Sequence, residues 1–95
     1  MSFPADLELS RRTKSFDAET TPKALLEAHD TKAGVWGAIV VERGSLLFTD
    51  CRKADAPRRL GVGRHEVIEP QVRHFVEPGA GCVFHVELWR RPSTD

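Results

Sequence analysis

A histidine stands between two valines in Val72-Arg73-His74-Phe75-Val76. Period-two alternation puts Val72, His74 and Val76 on one face of a strand, with Arg73, Phe75 and Glu77 on the other. The apolar face should point inward and carry the imidazole with it. Pro70 sits just upstream, at the mouth of a turn. An inward histidine can ligate a metal, act as a general base, or be a hydrogen-bonded core residue. The residue pattern leaves all three open.

The last strand offers a second group. Phe84, Val86 and Leu88 share one face; His85, Glu87 and Trp89 share the other. Either the apolar set is the core and His85 and Glu87 face water, or both faces are covered and His85, Glu87 and Trp89 line a polar cavity. Amphipathicity favours the first arrangement, whereas a large aromatic beside the polar pair favours the second. His29 follows a helix-forming run, where the helix dipole alone would favour it. His65 falls in a loop-like stretch beside Gly63 and is expected at the surface.

Histidines with a carboxylate suit Zn²⁺, Fe²⁺, Ni²⁺ or Mn²⁺. The donors would come from separate elements, so spacing alone does not diagnose a site. HExxH, CxxC, P-loop and Gly-x-Ser-x-Gly patterns are absent from the sequence. Cys51 and Cys82 lie far apart in apolar runs, as buried free thiols do.

These residues need a β framework. A weak alternation suggests a strand over Glu8 to Ser15. Thr21 is suited to cap a helix, Pro22 suits its first position, and Ala24 to Ala28 extend it to about His29. Val35 to Val41 is a β-rich run. Glu42-Arg43-Gly44 follows as a tight turn, and Ser45 to Cys51 as its hairpin partner. Leu60 to Ile68 reads as one or two short strands broken at Gly61 and Gly63. Glu69-Pro70-Gln71 and Pro78-Gly79-Ala80-Gly81 are turns flanking the His74 strand. Cys82 to Trp89 closes the series, and Arg90 to Asp95 is a frayed tail. About six or seven short strands with one short helix indicate a β-sandwich or barrel.

The chain has 95 residues, enough for a single domain over 1–95, and 40% of them are hydrophobic, which suits a packed core. Its 14 basic residues balance its 14 acidic ones, which argues against a general grip on nucleic acid or anionic lipid. Arg11, Arg12 and Lys14, then Arg58 and Arg59, then Arg90 and Arg91 form small basic clusters that read as solvated charge. With no signal peptide or transmembrane run in evidence, a cytoplasmic location is expected.

Three segments carry a family resemblance. His29-Asp30-Thr31-Lys32-Ala33-Gly34-Val35-Trp36-Gly37, with the Val40 to Phe48 region, resembles the small cupin-like domain of TehB- and YeaR-type proteins. Ile68 to Glu77 is similar to its second half, and Phe84-His85-Val86-Glu87-Leu88-Trp89 to its closing strand. The resemblance spans about Ser15 to Arg90. It implies an all-β fold, a small cupin-like jelly-roll barrel with one short helix near the N-terminus. The family is associated with tellurite resistance, where such a domain can precede a methyltransferase. This chain lacks the Gly-rich nucleotide motif a methyltransferase needs, so methyl transfer does not carry over.

In cupins a histidine after a proline-containing turn commonly binds metal, which matches Pro70 and His74. The usual His-x-His pair is broken here, because Thr31 stands where the second histidine would be. The resemblance thus implies a reduced metal set of His74, His29 and Glu87, with His85 as a further candidate. A ligand pocket would add Trp36, Glu69 and Trp89. The function expected first is a small-ligand- or metal-binding module in stress or oxyanion resistance. The alternatives are a structural domain that pairs as a homodimer through an exposed strand edge, and a metal-dependent cupin dioxygenase or isomerase using Glu87 or Glu69 as base.

Overall fold

A computed structural model describes residues 4–63 and 65–92, the His65 side chain excepted. The surface position expected for His65 and the end of the C-terminal tail lie outside the described part. The chain forms β1 (Glu8–Arg12), β2 (Phe16–Asp17), α1 (Lys23–Leu26), β3 (Trp36–Arg43), β4 (Ser45–Asp50), β5 (Arg58–Gly61), β6 (His65–Ile68), β7 (His74–Pro78) and β8 (Val83–Arg90). A single 3₁₀ turn, Cys51–Lys53, follows β4.

The strands make two antiparallel sheets. One has the order β1-β8-β3-β6, with β2 also paired to β8; the other is β5-β4-β7. The all-β expectation therefore holds. The described pairings leave the two sheets separate rather than closing them into a barrel.

The hairpin expected between β3 and β4 does not form. Both edges of β3 are already taken, by β6 and β8, so β4 has no edge to pair with. Gly44 instead turns the chain out of one sheet and into the other. Its φ is +67°, and a Cβ there would meet the Cys82 backbone at 3.1 Å, so only glycine fits. The strands on either side of Gly61 and Gly63 likewise part company, with β5 pairing to β4 and β6 to β3.

The core lies between the sheets. Ile39, Val41, Ile68 and Phe84 from the larger sheet meet Leu46, Phe48, Leu60 and Val76 from the smaller one. Phe16 on β2 packs its ring on Phe84 at 5.8 Å, which fastens the N-terminal segment over one end. Removing these side chains from water drives the sheets together.

The helix is shorter than its sequence suggests. It spans one turn, Lys23–Leu26, and Glu27 is already extended. Thr21 does not cap it; its hydroxyl donates to the Asp17 carbonyl at 2.6 Å and closes a turn with Asp17. With a stronger local turn upstream and no side-chain cap, propensity alone does not sustain further turns. His29 is therefore not at a helix end but in extended chain beside β7.

Candidate functional site

His29 and His74 form an isolated antiparallel bridge. The His29 N–H donates to the His74 carbonyl at 3.0 Å, and the His74 N–H donates to the His29 carbonyl at 2.8 Å. Two further contacts hold the incoming segment: the Gln71 N–H donates to the Thr31 carbonyl, and the Arg73 guanidinium to the Ala28 carbonyl. The turn after β6 makes this approach possible, with Gln71 at φ +63°. The two imidazoles thereby come within 4.3 Å, centroid to centroid. Phe48 stacks on the His74 ring from β4 at 5.8 Å.

Each ring is fixed through Nδ1. His74 Nδ1 lies 2.8 Å from the Val72 carbonyl oxygen, and His29 Nδ1 lies 2.9 Å from that of Glu27. A carbonyl can only accept, so the proton sits on Nδ1 in both rings. His74 is 3% exposed. Its burial pushes the imidazole pKa below the ordinary value, and the neighbouring His29 acts in the same direction. His74 is therefore neutral near pH 7, with Nε2 a bare lone pair.

Both rings line a cavity of about 630 Å³ between the sheets. Ile39, Ile68, Val76, Val86 and Leu88 supply apolar walls, and Gly37 leaves a gap in the wall because it has no side chain. Arg11, Lys32 and Arg90 also line it and are not buried, so they stand on its solvent side. A largely apolar cavity with a few polar groups is the usual form of a small-molecule site.

The last strand turns the other way. Phe84, Val86 and Leu88 face the cavity, so His85, Glu87 and Trp89 point away from the smaller sheet. Trp36 faces outward with them, opposite Trp89. His85 nevertheless stays out of water, at 4% exposure. Its Nδ1 lies 2.6 Å from Glu42 Oε2, which also accepts from the Ser15 hydroxyl at 2.6 Å. Those two bonds, Ser15 first, hold the Glu42 carboxyl below the usual range. On the other side, His85 Nε2 is 3.5 Å from Glu87 Oε2. No hydrogen bond forms there, and Nε2 has no hydrogen-bond partner among the described residues. Glu87 in turn accepts from the Trp89 indole at 3.1 Å.

The structure thus brings His74 and His29 together and separates them from the other candidates. Glu87, His85, Trp36 and Trp89 lie across the larger sheet. Glu69 lines a smaller, charged cleft, where it sits 3.7 Å from Arg52. A cupin-type metal centre needs three or four converging donors. Among the described residues no three His, Cys, Asp or Glu groups converge in that way. The two imidazoles do not fit such a centre. What they offer is hydrogen bonding from an apolar wall.

Three residues of this site carry no signal of their own in the sequence. Gly37 reads as part of a strand, Phe48 as an ordinary core aromatic, and Glu42 as a turn residue. β3 in fact runs on to Arg43. The alternation Trp36, Ala38, Val40, Glu42 is the pattern that would have placed Glu42 on the outer face.

Comparison with known proteins gives a consistent picture. The family model for the TehB-like domain matches residues 11–86. A solved protein from E. coli (strain K12) superposes with a TM-score of 0.87 at 20% identity, over 98% of this chain and 99% of that one. TehB from Haemophilus influenzae superposes with a TM-score of 0.84 at 23% identity, over 92% of this chain and 32% of that one. Both likenesses show a shared fold, and the chain spans about a third of the length of that TehB. No curated protein matches the chain.

Proposed function

The chain belongs to the TehB-like domain family, and from that premise we propose that it is a small-ligand-binding domain of cupin type whose ligand sits between the sheets, headed by His74 and His29. The observation that carries this reading is the cavity of about 630 Å³ with the buried His74 imidazole on its wall. The family's association with tellurite resistance supports a role in stress or oxyanion resistance. Both cysteines are free thiols, which supports a reducing, cytoplasmic setting. Among the described residues no helix is long and apolar enough to cross a membrane.

Thermal-shift screening of a fragment set, with potassium tellurite included, tests the reading. Compounds that stabilise the wild type should lose their effect in Gly37→Val, which fills the cavity, and keep it in His85→Gln. Hits that survive Gly37→Val would place the site elsewhere, and a blank screen would remove the reading.

A second reading, association of two copies, is favoured by β1, which among the described residues pairs on one side only, with β8, and is exposed along its whole length, with Leu9 47% exposed. Light scattering at high concentration checks it; a monomer would exclude it.

A further inference from the structure

We infer that the cavity selects protic ligands: molecules with an apolar body that bring an O–H or N–H donor to the His74–His29 pair. An oxyanion is then accommodated there only in a protonated form. The inference rests on the ligand-binding reading above and names the chemistry of its ligand.

The proton count decides what the pair can offer. A neutral imidazole has one N–H. In His74 that N–H is already given to the Val72 carbonyl, and in His29 to the Glu27 carbonyl. Neither ring has a second proton to offer while neutral. Burial and the adjacent His29 both oppose a further proton on His74. Nε2 of His74 is therefore an acceptor, as is Nε2 of any imidazole in the neutral Nδ1–H form, and no described residue hydrogen-bonds Nε2 of either ring. At a centroid separation of 4.3 Å the two rings stand side by side in a lining that is mostly apolar and also holds Ser10, Thr13, Asp30 and Thr31.

Such a pair discriminates by an asymmetry in hydrogen bonding. A ligand with a donor exchanges its water bond for one to the imidazole. A ligand of the same shape without a donor displaces water from Nε2 and leaves a buried acceptor unpaired. Sites built to pair a ligand O–H reject analogues lacking it more strongly than apolar pockets reject a missing methylene. A bare anion faces the same lone pairs with repulsion added. The cations that could offset this, Arg11, Lys32 and Arg90, stand at the solvent side, where water and salt screen them.

A matched pair of probes tests the inference. 4-Methylphenol and 4-methylanisole share a ring and a methyl group and differ in the O–H. Benzoate serves as the bare anion. Each is titrated at pH 7.5 into the whole chain, with binding followed by NMR shifts of the backbone amides around the cavity. The phenol should bind at least tenfold tighter than the ether and tighter than benzoate. In His74→Phe the preference for the phenol over the ether should fall to less than about threefold. Equal binding of phenol and ether to the wild type, or tighter binding of benzoate, overturns the donor rule while leaving the cavity as a site. If none of the three probes moves the cavity amides, the ligand-binding reading falls with it.

Discussion

His74 and His85 are almost equally buried, at 3% and 4% exposure, yet they occupy opposite situations. His74 lies between the sheets, anchored by a backbone carbonyl at one nitrogen and bare at the other. His85 lies on the outer face, clasped between Glu42 and Glu87. Through Glu42 it reaches Ser15, so it ties the N-terminal segment to the sheet. Burial does not distinguish a structural histidine from a functional one. The distinction lies in what each ring nitrogen meets: His85 directs both of its nitrogens towards acidic side chains, while Nε2 of His74 has no hydrogen-bond partner among the described residues.

The comparison breaks most readily at His85. His85→Ala removes the buried ring that hydrogen-bonds Glu42 and should cost about 2 kcal/mol of unfolding free energy, read by urea denaturation. Fragment binding by the folded fraction should be unchanged. His74→Phe keeps a ring stacked on Phe48 and should cost no more than about 1.5 kcal/mol, while cutting the preference for donor ligands to less than about threefold. A larger stability loss at His74 than at His85 would reverse the assignment of roles.

Acid should also separate the two. The folded state holds the His74 pKa below the unfolded value of 6.5, so the unfolded chain takes up this proton first as pH falls. His74 therefore contributes full stability above that value, and loses it as pH drops towards the folded pKa. The lowered pKa values of Glu42 and Asp50 work in the same sense at lower pH, through the carboxylate range. Denaturation at a series of pH values should show His74→Phe flattening only the upper part of this slope. A flattening of the whole acid limb would mean that His74 is coupled to the carboxylates. The smallest effect on stability is expected from Gly37→Ala. Its Cβ would meet the Ile68 side chain at 3.4 Å, an ordinary contact. Stability should move by less than about 0.5 kcal/mol, with binding in the cavity weakened and the His85 side untouched.

Much of the fold was legible because alternation reports faces directly. It placed Val76 with His74 inward, and it separated Phe84, Val86 and Leu88 from His85, Glu87 and Trp89. What it could not report was sheet membership. Gly44 looks like a hairpin turn because glycine with positive φ serves both a hairpin and a crossover, and only the occupied edges of β3 decide between them. The same limit applies to the site. His74 stood out by its valine neighbours. Its partner His29 was grouped with it by the family resemblance rather than by pattern, because the helix-forming run before it stops after a single turn and their meeting depends on a bridge between segments far apart in the chain. Glu87, adjacent to the core face in sequence, is across the sheet from the cavity in space.

The most direct test of the His74 assignment is the protonation state of that ring in the ligand-free protein at pH 7, read from long-range ¹H–¹⁵N correlations of the imidazole. The expected result is a neutral ring with its proton on Nδ1 and an unprotonated Nε2 that shifts when 4-methylphenol is added. A charged ring, or a neutral ring with the proton on Nε2, would contradict it.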